Sequence, residues 1–453
     1  MGRPIRPSSP FDLSTLVVEA FHCQDQGIAV EDDGDRTTPA ETDDTELSSN
    51  TSPSSTDHPY DHSMPAEEVP QPVPASTSNQ PEATKKQSRS NRRRANKRRE
   101  EIEQQGHKTT EWMLLEHVQL SEPVTLPVDQ SQLPVASSGY VGVRSRESKS
   151  ALRKTHSLDE FLAMGFEVVK WDGREARPLL DSSGRICGVL AGRPRGASFD
   201  AVLDRTDHFL QSENRADQFQ ASELKHRRGK FAAVAFGMSF GGGQPVAQRL
   251  APGAHGDLVR RFLSNQDIAC IASFADSAFH TWSPRLYDYY RTTLRKAAAH
   301  TKQPLNFPGS CFAAMSVNMG GRVCCFKHRD CVNLAFGWCA ITAIGKFDPE
   351  KGGHFVLWDL KMVIEFPPGS TILIPSAIFS HSNTSIAQDE RRFSITQYSA
   401  GALFRWVENG FKTDAELQVE DPEHFTHMQT LKTSRFAHGV GMYSTVDELC
   451  KDI

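Results

Sequence analysis

The sequence has no run approaching about 18 consecutive apolar residues, so no segment reads as a membrane-spanning helix. Its opening, MGRPIRPSSP, lacks the apolar centre of a secretory signal, and Arg6 stands where a myristoylation motif needs Ser or Thr. Cysteine is sparse and odd in number, nine in 453 residues, which points to reduced thiols in an intracellular setting rather than a disulfide framework. Charge of either sign is not in excess: 51 Lys+Arg oppose 56 Asp+Glu, a formal −5, too near neutrality to name a partner. Aromatics are scarce at the start. Of 26 Phe, 7 Tyr and 6 Trp, only Phe11, Phe21 and Tyr60 precede residue 110. The glycine run at 237–243 lacks the Gly-Lys-Ser/Thr of a phosphate-binding P-loop, so it reads as a loop. No Ser/His/Asp order and no paired catalytic carboxylates stand out.

What is present divides the chain. Residues 1–110 hold too little apolar surface to offset the entropy of ordering and are expected to be disordered. Within them an acidic stretch (Glu31, Asp32, Asp33, Asp35, Glu41, Asp43, Asp44, Glu46) precedes a basic one. The basic block at 85–99 contains Lys85, Lys86, Arg89, Arg92, Arg93, Arg94, Lys97, Arg98 and Arg99. That density reads as a nuclear address or an arm for nucleic acid, with a solvated charged run as the plain alternative. A linker is expected at 111–145, where Pro and polar residues recur. Residues 146–305 read as a mixed, largely helical region. Helices are expected at His255–Leu263 and Ser283–Ala299, the second with Ser283 as cap and Pro284 in its first turn.

Over 306–412 the apolar period changes to two. Eight short runs alternate with turns: Ala313–Asn318, Val323–Lys327, Trp338–Ile344, His354–Asp359, Met362–Phe366, Thr371–Ile374, Phe379–Asn383 and Arg392–Ser399. Eight strands in so short a span predict an antiparallel sandwich or barrel. Residues 413–453 read as an acidic, weakly patterned tail. The fold class is therefore α+β: a double-stranded β-helix (jelly-roll) core after a mixed helical region and a disordered N-terminal segment.

One constellation carries chemistry. In an extended chain His328 and Asp330 share a face and Arg329 points away. His381 follows 51 residues after Asp330. Two His and one carboxylate form the facial triad of non-haem Fe(II) oxygenases, which leaves three metal positions open. Arg392 lies eleven residues after His381 and shares a strand face with Ser394. A planar guanidinium suits the far carboxylate of a dicarboxylate such as 2-oxoglutarate. Arg391 competes for that role but projects to the other face. His354 sits too early to be the distal ligand and reads as a core or supporting residue, and His280 and His300 as structural. Zinc at Cys324, Cys325, His328 and Cys331 is disfavoured, because adjacent cysteines on a strand face opposite ways. Lys225 to Lys230, with Arg227 and Arg228, offers a possible phosphate contact or a solvated charged face.

The span Phe236–Phe411, with FGMSFGGGQP, HRDCVNLAFGWCAITAIG, GGHFVLWDLKMVIEFPPGSTILIP and RRFSITQYSAGALFRWVENGF, resembles fungal 2-oxoglutarate/Fe(II) dioxygenases of the TET/JBP-like group. The resemblance implies oxidation of 5-methylpyrimidines in nucleic acid with O₂ as co-substrate; with the basic block, the expected substrate is 5-methylcytosine or another methylated base in nuclear DNA. It implies iron on His328, Asp330 and His381, 2-oxoglutarate on Arg392 and Ser394, and Asn318 as a polar group near the co-substrate. Two other readings stay open: an oxygenase acting on a protein or RNA group, and an inactive β-helix protein that binds nucleic acid.

Overall fold

The computed structural model describes residues 84–451, other than 146, 149–151 and 216, and describes side chains from residue 93. The acidic stretch of the N-terminal segment lies outside the described residues, as do the side chains of Lys85, Lys86, Arg89 and Arg92. The described residues from Arg89 onward belong to one compact unit.

Thirteen strands are described: β1 Val124–Thr125, β2 Glu167–Val169, β3 Arg177–Leu180, β4 Ile186–Gly192, β5 Ala233–Ser239, β6 Gln248–Arg249, β7 Ala314–Asn318, β8 Cys339–Lys346, β9 Phe355–Leu357, β10 Met362–Ile364, β11 Thr371–Ile374, β12 His381–Asn383 and β13 Arg391–Tyr398. Nine form one sheet in the order β1-β3-β4-β11-β8-β13-β7-β5-β6, and four form a second in the order β12-β9-β10-β2. The centre of the large sheet pairs β7 with β13, β13 with β8 and β8 with β11, all antiparallel. The small sheet pairs β12 with β9 and β9 with β10, again antiparallel. A chain that crosses between two sheets in this interleaved order is a double-stranded β-helix. The expected run Val323–Lys327 is not a continuous strand. It makes single bridges instead, Cys325 to Gly229 and, just beyond, His328 to His381.

Period two sorts β13 into an inner and an outer face. Phe393 and Ile395 face outward and join Val317 of β7 and Ile344 of β8 in a cluster with Phe199, Leu210, Phe262 and Ile268 of the covering helices. Each such fully buried side chain contributes roughly 1.5–3 kcal/mol. Gln397 on the same face donates to the carbonyl of Ala272, 3.3 Å away on the helix Gln266–Trp282. Arg392, Ser394, Thr396 and Tyr398 therefore face the space between the sheets. Gly237 is within β5 rather than in a loop: its φ is +110°, and a Cβ there would meet the Ala313 carbonyl oxygen at 2.4 Å.

Several stretches expected to lack structure carry it. Thr84–Gln105 is a helix, seated by buried Ala95 and Ile102, while Arg93, Arg94 and Lys97 stay exposed. The expected linker contributes β1 and buries Met113, Val118, Leu126 and Tyr140. Helices Asp414–Glu420 and Pro422–Thr430 form in the expected tail, each opened by a side-chain cap, from Thr413 and Asp421. Ser283 does precede the helix Pro284–Thr301, yet its hydroxyl makes no cap and is buried without a partner. Among the described residues no helix is long and apolar enough to cross a membrane.

His107, just after the first helix, is 5% exposed, and its amide donates to the Tyr287 hydroxyl at 3.1 Å. Burial, aided by His280, Arg98 and Arg291, pushes its imidazole down to about 3. The folded form thus keeps His107 neutral where the unfolded chain takes a proton, so stability falls as pH drops below about 6.5, by at most ~1.4 kcal/mol per pH unit for this group. We expect His107→Gln to lose less melting temperature than the wild type between about pH 7.5 and 5. Equal losses would show that His107 does not stay neutral in the fold.

Candidate metal centre

The triad is assembled by backbone pairing. The amide of His328 donates to the His381 carbonyl at 3.0 Å, and the amide of His381 donates to the His328 carbonyl at 2.8 Å. Residues that exchange both bonds lie directly opposite with side chains on one face. The two rings accordingly sit 4.2 Å apart, centroid to centroid. Asp330 is placed by its own amide, which donates to Ser376 O at 3.0 Å, and by its carbonyl, which accepts from the Asn333 amide at 2.8 Å. Arg329 points away between them, to Ser380 Oγ at 2.9 Å and Asp359 Oδ1 at 2.8 Å.

The three side chains converge. Nε2 of His328 lies 3.9 Å from Asp330 Oδ1, and Nε2 of His381 lies 3.8 Å from Asp330 Oδ2. Donor atoms of all three fall within 4.8 Å of one another, and all three residues are buried. Each imidazole has its other nitrogen engaged by its own chain: His328 Nδ1 meets Phe326 O at 2.8 Å, and His381 Nδ1 meets Phe379 O at 3.0 Å. A carbonyl only accepts, so Nδ1 carries the proton and Nε2 offers a lone pair. Burial lowers both imidazoles below their usual range, with His381 adding to the effect on His328. For Asp330, burial pushes upward, but His328, His381, Arg228 and Arg227 outweigh it and hold the carboxyl at about 2. Two neutral imidazoles and one carboxylate are the donor set and protonation state that a divalent metal requires.

Beside the triad is a second, distinct environment. Arg392 is 1% exposed and lies between the rings of Phe347 and Phe366, 5.9 and 5.8 Å from their centroids. Its Nη1 donates to Val323 O at 3.1 Å, its Nε has no partner, and among the described residues no carboxylate pairs with it. Asn318 faces Ser394 across β7 and β13 and donates from Nδ2 to Ser394 Oγ at 2.8 Å, leaving its buried Oδ1 unpartnered. Arg391, by contrast, turns outward and grips buried Asp207 with a fork of Nε and Nη2, Nε lying 2.9 and 3.0 Å from its two oxygens and Nη2 2.5 Å from Oδ2. His354 is fully buried against Thr384 Oγ1 at 2.7 Å and takes no part in the triad. Cys324, Cys325 and Cys331 are free thiols, and among the described residues the only metal-competent cluster is His328, Asp330 and His381.

A cleft of about 470 Å³ opens onto Asp330, lined in part by Arg227, Arg228, Asn333, Thr396 and Tyr398. Thr396 and Tyr398 were within reach of sequence reasoning, since they continue the inward alternation of Arg392 and Ser394. Phe347 and Phe366 were not, because nothing local marks an apolar residue as the wall of an anion site. Arg93, Arg94, Lys97, Arg98 and Arg99 are carried on the helix Thr84–Gln105.

No family model matches the chain, and no curated protein does. Solved structures do. NgTET1 in complex with 5mC DNA is similar at 13% identity and a TM-score of 0.32, over 56% of this chain and 91% of that one. An oxidoreductase of the 2OG-Fe(II) oxygenase family from Burkholderia pseudomallei is similar at 13% identity and a TM-score of 0.25, over 57% of this chain and 92% of that one. At such identity neither likeness carries a substrate or a residue role to this chain.

Proposed function

We propose that this protein is an Fe(II)/2-oxoglutarate-dependent dioxygenase that oxidises a methylated base, 5-methylcytosine first among them, in DNA. The observation that carries the oxygenase reading is Arg392. A buried guanidinium without a counter-ion is costly, and here it stands in the same β-helix as a metal-competent His-Asp-His cluster. A dicarboxylate that chelates a metal at one end and needs a cation at the other supplies what both sites lack. His328, Asp330 and His381 would hold the iron; Arg392 and the Ser394 hydroxyl would hold the far carboxylate, while Asn318 keeps Ser394 oriented through its amide.

Iron with 2-oxoglutarate as electron donor supplies the O₂ chemistry that inserts oxygen into a C–H bond. The chain contributes position and dryness. Phe347, Phe366 and Phe355 border the anion site and His381, so water is kept from the buried charges. The cleft beside Asp330 receives the substrate, and a base in duplex DNA must leave its stack to reach so buried a triad. Three things favour nucleic acid: the motif resemblance, the arginines at the cleft, and the exposed Arg93, Arg94 and Lys97. The basic block at 85–99 also fits a nuclear address.

The test is incubation of the full chain with Fe(II), 2-oxoglutarate and oligonucleotides carrying 5-methylcytosine, followed by mass spectrometry of bases and by succinate assay. Gain of one oxygen on the base together with succinate is expected. Succinate without base oxidation would leave an oxygenase with another substrate, and no succinate under any condition would end the oxygenase reading.

A further inference from the structure

The segment His226–Gly229 is a tight turn closed by two backbone bonds, His226 N to Gly229 O at 3.1 Å and Gly229 N to His226 O at 3.2 Å. Arg227 and Arg228 are its two central residues. The turn is fastened directly to the metal-site chain: Phe326 N donates to Arg228 O at 2.8 Å, and Gly229 bridges Cys325. Gly229 has no room for a side chain, since a Cβ would lie 2.2 Å from the Phe231 ring and 2.9 Å from Cys324 O. His226 Nδ1 accepts from the Arg228 amide at 3.2 Å, which closes the turn further. Two guanidinium groups are thereby held at the cleft, a few residues of backbone away from His328.

Their present partners are weak. Arg227 Nη2 reaches Asp330 Oδ1 only at 3.4 Å and Nη1 reaches Arg329 O at 3.2 Å. No ion pair of Arg228 occurs among the described residues, although it lines the cleft with Asp330. Glu223, also on the cleft, is taken by His255 at 2.7 Å. Charge bookkeeping then points outward. A divalent metal on Asp330 leaves one positive charge, three arginines add three, and 2-oxoglutarate and Glu223 together remove three. A cationic cleft remains with both small molecules in place, and its free donors are forks that match phosphate oxygens in two prongs.

We propose that the Arg227–Arg228 turn is a phosphate clamp, which grips the backbone phosphate beside the nucleotide whose base enters the cleft. The clamp rests on the proposed reading of the site, with metal and 2-oxoglutarate in place and nucleic acid as the substrate. It positions the target base over the triad, because the turn and His328 share one stretch of bonded backbone.

The experiment uses fluorescence anisotropy of a methylated oligonucleotide with the full chain loaded with Fe(II) and 2-oxoglutarate under anaerobic conditions, so no turnover occurs. Wild type is compared with Arg227→Gln/Arg228→Gln and with Arg227→Lys/Arg228→Lys over a salt series. Loss of the clamp on one phosphate should reduce the slope of log K against log salt by about 0.9 on duplex DNA, whereas the Lys variant should keep the slope. A second arm replaces the single phosphate next to the methylated base by a neutral methylphosphonate. That change should weaken wild-type binding by about tenfold or more and add nothing in the Gln variant. An unchanged slope in the Gln variant, equal methylphosphonate effects in both proteins, or binding to acidic peptide but not to oligonucleotide each overturns the clamp. Succinate formation from iron and 2-oxoglutarate, measured alongside in wild type, reports separately on the oxygenase reading.

Discussion

His328→Ala, Asp330→Ala and His381→Ala should each abolish stoichiometric iron binding and 2-oxoglutarate-dependent succinate formation. Each removes one of three donors from a cluster in which no other His, Cys, Asp or Glu stands by among the described residues, and the remaining pair loses the facial chelate. The fold should survive all three changes. Neither imidazole bonds to anything but a carbonyl of its own chain, and the bridge between residues 328 and 381 is made by backbone groups that alanine retains. Metal content by elemental analysis, read beside circular dichroism, separates lost chelation from lost structure. Affinity in the wild type should also change little between about pH 7 and 8, since burial holds both imidazoles below their ordinary range and Asp330 is already ionised. Full turnover in any one of the alanine variants would remove that residue from the metal centre.

Arg392→Met should lose 2-oxoglutarate binding yet leave the metal-free protein at least as stable as wild type. The two outcomes have one cause. The guanidinium is buried and burial presses it toward the neutral form, with only the Cys324 and Cys325 thiols acting in the other direction. An apolar side chain of similar length ends that cost, at the expense of one bond to Val323 O. Arg392→Lys keeps the charge but loses the planar fork, and should raise the apparent Michaelis constant for 2-oxoglutarate about tenfold or more, equivalent to 1.5–3 kcal/mol. Its neighbour behaves oppositely. Arg391→Lys should leave 2-oxoglutarate affinity in place but lower the melting temperature, because Asp207 is 2% exposed and depends on the two-pronged bond. Succinate formation against 2-oxoglutarate concentration, with melting curves of the ligand-free proteins, tests both. If Arg391→Lys is the variant that raises the Michaelis constant, the inward face of β13 has been assigned to the wrong residues.

The triad was legible because it depends on short-range geometry. A spacing of two on an extended chain puts His328 and Asp330 on one face, and the alternation from Arg392 to Ser394 follows from the same rule. The bridge that brings His381 opposite His328 is long-range, and only its order along the chain hinted at it. The helix Ala197–Glu213 was missed because its apolar residues are thinly spread among charges, and its burial depends on the sheet it covers. Residues 84–105 looked unfoldable by composition, since a helix that is polar nearly all round gains its place from scattered contacts, buried Ala95 and Ile102 among them, rather than from a continuous apolar stripe. Asp207 gave no signal at all: an acid in a helix becomes the partner of Arg391 only once the sheet exists.

The adjacent arginines of β13 also bear on how faithfully the β-helix pairs its strands. Suppose β13 slipped by one residue against β8 and β7. Arg391 would then enter the interior, Asp207 would be stranded without a cation in an apolar layer, and Phe393 would be driven between the sheets in place of Ser394, while Arg392 met the helical cover. Arg391 in place of Arg392 is like for like, but the other exchanges are unfavourable, and they occur together, because a shift of one reverses all side chains of a strand at once. The register is thus guarded by what surrounds the two arginines rather than by the arginines themselves: a buried acid on the helical side that needs its cation, and the alternation of Phe393 with Ser394, which hold the strand that would bind 2-oxoglutarate in its alignment.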